Sequence, residues 1–221
     1  MQDPMAEKNI VIKVRDLSVG FGDTLILDHL DLDVYRGEIL GVVGASGTVK
    51  SVLMRTILGL NPKRGGSVAI LGHDYDACSA EECRRIDQKL GVLFQHGALF
   101  SSLSVRQNIQ VPMREYLNLS QKMMDELVLM KMQLVGLSLD AADKFPAELS
   151  GGMIKRAGLA RALAIDPDVI FLDEPTSGLD PIGAQEFDKL ILNLRGTLGV
   201  TVFMVTHDLD SLFAICDRIA V

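Results

Sequence analysis

The chain has 221 residues, enough for one large domain or for a core domain that carries an inserted subdomain. Its 22 basic and 29 acidic side chains give a formal net charge of −7, which argues against nucleic-acid binding, since that normally requires excess Lys and Arg. Apolar residues make up 48% and charged residues 23%, which excludes disorder, collagen and coiled coil. No uncharged run reaches the roughly 20 residues that a bilayer-spanning helix needs.

The three cysteines, Cys78, Cys83 and Cys216, form an odd and sparse set. No disulfide framework is therefore expected, and the pattern indicates a reduced, cytosolic protein. No CxxC pair occurs, which argues against a zinc site. Met1–Pro4 precede a second methionine, Met5, and are interpreted as a remnant of an expression vector; no signal peptide is expected.

The first part of the chain predicts strands around a glycine-rich loop. Ile10–Val14 alternate apolar and polar residues, as a half-buried strand does, and a turn is expected at Gly20–Asp23. Leu30–Val34 alternate in the same way and predict a second strand with one wet face. Glu38–Val43 are apolar on both faces, which is typical of a central strand. The loop follows, and then a helix over about Lys50–Leu58.

The second part of the chain predicts a helical insertion followed by a return to strands. Further strands are expected at Val68–Leu71 and Leu90–Phe94, before the apolar period becomes helical over Ser101–Ala164. Val169–Leu172 and Val200–Val205 are again apolar runs of strand length. The sequence therefore predicts an α/β protein in which helices interrupt a mixed sheet.

The glycine-rich loop between a buried strand and a helix indicates a phosphate-binding site. Its main-chain N–H groups would wrap phosphates, Lys50 would reach the terminal phosphates, and Ser51 would hold Mg²⁺. Val49 stands where the usual GxxxxGK[ST] pattern has glycine, so a plain glycine-rich turn is the alternative until later motifs are counted. The predicted binding residues are Gly44, Ala45, Ser46, Gly47, Thr48, Val49, Lys50 and Ser51.

Two carboxylates end the strand Val169–Leu172 and suit nucleotide hydrolysis. Asp173 would act on Mg²⁺, usually through water, and Glu174 would polarise the attacking water. The alternative, a pair of carboxylates at an exposed strand end, is common. It is disfavoured here because a phosphate loop precedes the pair and Pro175–Asp180 (PTSGLD) follows at once.

The segment Leu149–Gly152 (LSGG) resembles the signature motif of ABC-transporter ATPase subunits. The ordered set is specific: GASGTVKS at 44–51, Phe94-Gln95, LSGGMIKR at 149–156, FLDEPTSGLD at 171–180 and Thr206-His207-Asp208. The resemblance covers about Ile10 to Val221. It implies a P-loop NTPase (RecA-like) mixed sheet with an antiparallel β subdomain and an inserted helical subdomain. One domain would span 8–221, with 8–97 and 165–221 as the core and 98–164 as the helical subdomain.

The same resemblance implies roles for residues outside the phosphate loop. Phe21 matches an aromatic residue that stacks on adenine. Gln95 matches a glutamine that contacts Mg²⁺ and the attacking water and couples to a membrane subunit. His207 matches a histidine that contacts the γ-phosphate, although an isolated His at a strand end is usually only solvated or hydrogen-bonded.

Further matching positions imply a dimer that sandwiches two ATP molecules. Ser150, Gly151 and Gly152 match the signature residues that close on the γ-phosphate bound by the second copy. Asp180 matches an aspartate that crosses the dimer interface. The resemblance thus implies ATP and Mg²⁺ as ligands, a second copy and an integral membrane permease as partners, and a place at the cytoplasmic face of the inner membrane.

A narrower resemblance concerns the cargo. Met153 after LSGG, Phe94–Phe100 (FQHGALF) and Val111–Glu115 (VPMRE) look like the ATPase subunits of MCE-linked, Mla-type phospholipid transporters of double-membraned bacteria. This implies an MCE-domain lipid-binding partner. Another bacterial ABC importer is the alternative, and a non-transport ABC ATPase or a structural subunit that has lost ATP use is less favoured.

Three features qualify these expectations. A β-branched residue at Val49 crowds a loop that phosphates must approach and narrows its φ range, so weakened nucleotide binding is expected. Asp217–Val221 look like the start of a strand, where the family continues, so a truncated C-terminus is expected. Five of the ten Met residues lie between Met113 and Met132; helix core is the favoured interpretation, and a docking surface for the permease is the alternative.

Overall fold

The computed structural model describes residues 9–44 and 47–221. Its strands are β1 (Ile10–Phe21), β2 (Thr24–Tyr35), β3 (Ile39–Val42), β4 (Gly65–Ile70), β5 (His73–Asp74), β6 (Leu90–Leu93), β7 (Val169–Asp173), β8 (Thr201–Val205) and β9 (Arg218–Ala220). Its helices are α1 (Gly47–Ile57), α2 (Ala80–Asp87), α3 (Val105–Tyr116), α4 (Gln121–Leu134), α5 (Gly151–Ala162), α6 (Pro181–Leu198) and α7 (Leu209–Ile215), with short 3-10 turns at Leu139–Ala141 and Pro146–Glu148.

A long antiparallel hairpin of β1 and β2 begins the chain. Phe21 pairs with Thr24 across a two-residue turn, in which Gly22 has a φ of +53°, a conformation that glycine adopts without steric cost. Because the turn is tight, pairing extends along both strands, which are longer than the alternation at Ile10–Val14 and Leu30–Val34 predicted. β4 and β5 complete a four-stranded sheet in the order β2-β1-β4-β5.

The second sheet has five parallel strands in the order β6-β7-β8-β3-β9. β7 and β8 are buried along their whole length, as expected for central strands of a parallel sheet. Val205 at the end of β8 is in register with both Val42 of β3 and Asp173 of β7. The loops that follow β3 and β7 therefore leave the same edge of the sheet, where α/β proteins bind ligands.

Alternate residues of the central strands face two separate hydrophobic clusters. Phe171 and Phe203, whose ring centroids lie 5.5 Å apart, belong to the cluster that α1 and the antiparallel sheet complete. Leu172 and Met204 belong to the other cluster, with Phe187 of α6 and residues of α3, α4 and α5. The parallel sheet is thus covered on both faces, and its strand ends form the exposed edge.

The helices α3, α4 and α5 lie between β6 and β7 in the chain and pack on one another. Met113, Met124 and Met132 are buried in their shared core, so the favoured core interpretation holds for these three methionines. Met123 and Met130 are more than half exposed, at 51% and 58%. Throughout residues 9–44 and 47–221, no helix is both long and apolar enough to cross a membrane.

The expectation that the cysteines stay reduced is wrong for one pair. A disulfide joins Cys78 to Cys83, whose Cα atoms lie 5.7 Å apart. Ser79 caps the N-terminus of α2, and the first helical turn brings residue 83 back beside residue 78. Because the sequence pattern did not predict where this helix begins, the spacing alone did not reveal the pair. Cys216 is a free thiol.

Candidate active site

The start of α1 places Lys50 and Ser51 beside the carboxyl end of β3. Lys50 is buried, with 2% of its surface exposed, and its Nζ donates a hydrogen bond to the main-chain oxygen of Gly44 at 3.0 Å. The ammonium group therefore lies beside Gly44, at the end of β3. The predicted phosphate-binding groups that lie outside the described residues are Ala45 and Ser46, together with the side chains of residues 47 and 48.

Ser51 and Asp173 meet at the edge of the parallel sheet. Ser51 Oγ donates a hydrogen bond to Asp173 Oδ1 at 3.3 Å. Asp173 is 3% exposed, and burial raises the pKa of its carboxyl, against opposing effects of the Ser51 hydrogen bond and the Arg55 charge. A hydroxyl and a buried carboxylate are hard oxygen donors of the kind that Mg²⁺ prefers, so these two residues fit that cation.

Glu174 is held beside His207 at the end of β8. Glu174 Oε2 accepts a hydrogen bond from Thr206 Oγ1 at 3.2 Å and lies 2.8 Å from His207 Nδ1. The His207 side chain is 71% exposed, whereas that of Glu174 is 10% exposed. The two residues line an open pocket of about 420 Å³, together with Ser177 and Asp208. The imidazole and the carboxylate thus face one solvent-accessible space.

A buried lysine of α5 supports the main chain of Glu174. Lys155 Nζ donates a hydrogen bond to the Glu174 carbonyl oxygen at 2.7 Å, and 4% of Lys155 is exposed. Burial lowers the pKa of the Lys155 ammonium to about 8, although the charges of Asp173 and Glu174 oppose the shift. The Glu174 residue itself has a φ of +49°, a left-handed conformation that is uncommon outside glycine.

The signature residues and Asp180 lie around a second pocket, of about 280 Å³. Ser150 caps α5, since its Oγ accepts a hydrogen bond from the Met153 N–H at 3.3 Å. Asp180 caps α6 by accepting from the Gly183 N–H at 2.9 Å. The pocket is also lined by Gly151 and Gly152. The N-terminus of α5 therefore opens into this space, where its main-chain N–H groups favour an anion, whereas the Asp180 carboxylate occupies the N-terminus of α6.

Val49 adopts helical backbone as the third residue of α1. Its half-buried side chain packs against the cluster beneath the antiparallel sheet. The narrower φ range of a β-branched residue still includes this helical backbone conformation. The expected crowding of bound phosphates depends on the approach of a ligand and remains a prediction.

Gln95 and Phe21 flank the site from two other elements. Gln95 is half-buried and follows β6, which is the neighbour of β7 in the sheet, so it leaves the same edge as Asp173. Phe21 ends β1 at the tip of the hairpin, and 47% of its surface is exposed. Its ring is thus available to a planar ligand, as its predicted role requires.

The sequence of residues 27–177 matches the family model described as ABC transporter. The chain belongs to the ABC transporter family. This result confirms the resemblance drawn from the ordered motifs.

Two relatives of this ABC cassette are named as ATP-binding proteins of transport systems. It is 42% identical over 201 residues to the "Probable ribonucleotide transport ATP-binding protein mkl" of Mycobacterium leprae, covering 91% of this chain and 58% of that protein. It is 40% identical over 207 residues to the "Intermembrane phospholipid transport system ATP-binding protein MlaF" of Haemophilus influenzae, covering 94% and 78%. The cassette therefore spans little more than half the length of the mkl protein.

The fold of the cassette is confirmed by solved structures. A "dimeric structure of a post-hydrolysis state" of an ATP-binding cassette bound to ADP and Pi superposes with a TM-score of 0.82 at 28% identity, covering 90% of this chain and 89% of that chain. The P-loop NTPase fold, with its antiparallel and parallel sheets, is thus established.

Sequence reasoning missed Lys155, the residue of the cassette that supports the Glu174 carbonyl. Lys155 precedes Arg156 in α5, and the sequence alone does not show which of these two basic side chains is buried. Their environments differ, because the Arg156 guanidinium donates to the Val135 carbonyl whereas Lys155 is directed to Glu174. No periodicity in the segment would have separated the two.

Proposed function

We propose that this cassette binds ATP and hydrolyses it to drive a membrane transporter. The observation that supports the proposal most is the 3.3 Å hydrogen bond between Ser51 and Asp173, which joins the phosphate loop to the acidic strand end across 122 positions of sequence. Such a hydroxyl and carboxylate pair is the arrangement by which P-loop proteins hold a nucleotide-bound cation.

In the proposed reaction, the buried ammonium of Lys50 binds the terminal phosphates and neutralises part of their charge. When bound, Mg²⁺ would add further neutralisation of the phosphates, with Ser51, Asp173 and Gln95 as the residues that hold it. These groups are fixed before the reaction, so catalysis derives mainly from positioning and electrostatics.

Glu174 orients the attacking water and accepts its proton. The Thr206 hydrogen bond restrains the carboxylate, and the His207 Nδ1 lies 2.8 Å from it. In the proposed complex, the exposed imidazole of His207 contacts the γ-phosphate. Phe21 stacks on the adenine through its exposed ring face. The water thus meets a carboxylate whose direction is set by the end of β8.

Two copies of the cassette form the active unit. Ser150 and Asp180 are exposed in the single chain. The N-terminus of α5, which Ser150 caps, can bind a phosphate of a second copy, and Asp180 crosses the interface between the copies. A similar cassette forms a dimer in two solved structures, which supports this assembly. Each ATP then lies between the phosphate loop of one copy and the LSGG segment of the other.

The membrane permease docks in a groove of about 760 Å³ beside Gln95, whose chain neighbour Phe94 lines it. The groove is mostly apolar, and its lining includes Phe94, Phe100, Val111 and Tyr116. It runs between two proposed units: the core and antiparallel subdomain formed by 8–97 and 165–221, and the helical subdomain formed by 98–164. Changes in their relative position on ATP binding would move the permease, and the cassette would lie at the cytoplasmic face of the inner membrane.

Phospholipid is the proposed cargo, with an MCE-domain protein as a further partner. The 40% identity to MlaF over 94% of the chain supports this cargo. Another importer remains a second candidate, because the mkl relative is named for ribonucleotide transport. ATP-dependent movement of labelled phospholipid by the complex assembled with its permease supports the first candidate. Movement of ribonucleotide without phospholipid would support the second.

The proposed activity is tested by replacing Asp173 with Asn in the complex of cassette and permease. Asp173→Asn keeps the size of the side chain but removes its charge, so Mg²⁺-dependent ATP turnover should fall by roughly 10²-fold or more. Asp143→Asn is the matched control, because Asp143 is exposed and pairs with Arg106, and neither residue has a proposed role at the site. Equal turnover in both variants would contradict the role of Asp173, and absence of turnover in the unaltered complex would contradict the proposed function.

A further inference from the structure

The buried ammonium of Lys155 has no part in the proposed chemistry, yet it contacts the main chain of the residue that directs the water. Lys155 Nζ lies 2.7 Å from the Glu174 carbonyl oxygen, although the two residues are 19 positions apart. Burying an ammonium group costs free energy, and Lys155 is only 4% exposed. Its hydrogen bond to the Glu174 carbonyl offsets part of this cost, because a charged donor makes a stronger hydrogen bond than a neutral one.

Glu174 needs such support because of its backbone conformation. Its φ of +49° lies in the left-handed region, which persists in a residue with a side chain only where the surroundings fix it. The Glu174 N–H donates to the Val205 carbonyl at 2.8 Å, and its own carbonyl accepts from the Ser177 N–H at 3.2 Å as well as from Lys155. Of these hydrogen-bond partners, Lys155 is the one that lies on a helix, α5.

That helix, α5, begins at the LSGG segment. Ser150 caps it, and Lys155 lies five residues later, which is a rise of about 7.5 Å along a helix. A rigid helix thus connects the residues that would bind the second copy's nucleotide to the main chain of Glu174 in the same copy. Closure at one nucleotide site can therefore adjust the glutamate at the other.

We infer that Lys155 is a positioning residue that fixes the Glu174 main chain and couples it, through α5, to the LSGG segment. The inference rests on the proposed function, because it assigns Lys155 a role in the same hydrolysis. Its test uses Lys155→Met, which removes the ammonium donor but keeps an unbranched apolar side chain. Met is close to Lys in size and adds no buried polar group, and the Glu174 carbonyl keeps its hydrogen bond from the Ser177 N–H, so the fold should persist.

The matched control is Lys131→Met. Lys131 is also 4% exposed, but it lies on α4 and pairs with Asp166 at 2.5 Å, away from Glu174. In the assembled complex, Lys155→Met should lower kcat for ATP by roughly 10- to 100-fold, as expected for a misplaced reacting group, and leave KM within about twofold. Lys131→Met should change neither, and Lys155→Arg should restore most of the loss, because it retains a charged donor.

A second measurement tests, without measuring ATP turnover, whether Lys155 fixes the main chain of Glu174. Hydrogen exchange of the nucleotide-free chain should be about tenfold faster across Glu174–Leu179 in Lys155→Met, and unchanged there in Lys131→Met, because loss of a charged hydrogen bond loosens the segment locally. Unchanged exchange would overturn the inference whatever the turnover. Unchanged kcat in Lys155→Met, with an active unaltered complex, would also overturn it and leave the proposed function standing. An inactive unaltered complex would contradict the proposed function, and exchange would then decide on Lys155 alone.

Discussion

At the scale of the residue, the site depends on Glu174 being held in a conformation that it would not adopt alone. A left-handed φ at a residue with a side chain costs about 1–3 kcal/mol, and surrounding hydrogen bonds must offset this cost. The Thr206 hydroxyl, the Val205 carbonyl and the Lys155 ammonium provide them, each from an element distant in sequence. The glutamate is therefore positioned by contacts from distant parts of the chain in addition to the local turn, in which the Ser177 N–H donates to the Glu174 carbonyl.

Val49 is expected to weaken nucleotide binding by its side chain. Its side chain packs on the core, but its main chain lies one residue before Lys50, where phosphates should approach closely. Val49→Gly is expected to strengthen binding of Mg²⁺-ATP by removing the β-branched side chain. Saturation at 100 times the dissociation constant stabilises a protein by roughly 2.7 kcal/mol. At about 2–4 °C per kcal/mol, the melting midpoint of the variant should rise by roughly 5–10 °C.

Thermal melts of both proteins, each with and without Mg²⁺-ATP, check this prediction. The shift on adding nucleotide is the quantity to compare, because glycine in a helix lowers the starting midpoint by itself, by up to about 1 kcal/mol of stability. The unaltered protein should shift much less than the variant. Equal large shifts would show that the loop accommodates Val49.

At the scale of the element, helix caps place several side chains of the site and of its surroundings. Ser104 illustrates their energetic effect at the start of α3, where its Oγ accepts from the Gln107 N–H and the Gln107 side chain accepts from the Ser104 N–H. Ser104→Ala should lower the free energy of unfolding by about 1 kcal/mol, and the melting midpoint by about 2–4 °C.

Denaturant unfolding of Ser104→Ala and of Ser101→Ala checks the cap. Ser101 is exposed in the turn that precedes α3 and serves as the matched control. If both variants unfold at the same denaturant concentration, the capping box contributes nothing measurable to stability.

The sequence predicts some of the structural elements of this protein and not others. The apolar runs of β7 and β8 and the ordered motifs predicted the buried strands and the loop at their edge, because burial and spacing leave a local pattern. The hairpin lengths, the Cys78–Cys83 disulfide and the contact of Lys155 depend on where chain segments meet. The periodic pattern of apolar residues along the chain does not indicate which distant segments make contact, so these features are seen only in the folded structure.

At the scale of the whole molecule, the groove beside Gln95 predicts where the permease binds. It lies between the segment that follows β6 and the helix α3, and its apolar side chains need a partner to exclude water. Hydrogen exchange should slow across Gln95–Ser104 when the permease is bound. Slower exchange elsewhere, with this segment unchanged, would contradict docking in the groove.

In the proposed mechanism, two copies enclose ATP and Glu174 directs its hydrolysis. Glu174→Gln keeps the shape of the side chain but removes the proton acceptor, so turnover should fall by roughly 10²-fold or more while ATP binding persists. The unreacted nucleotide should then hold the two copies together. Glu126→Gln, an exposed change on α4, is the matched control. Both changes are made in the unaltered chain and in Val49→Gly, so that weak binding does not obscure the result.

The decisive measurement is light scattering of the chain with Mg²⁺-ATP, combined with the rate of phosphate release. Glu174→Gln should form a stable dimer that retains ATP and releases little phosphate. Glu126→Gln should continue to release phosphate and form no trapped dimer. Phosphate release by Glu174→Gln at the rate of the unaltered chain would show that Glu174 does not direct the hydrolysis.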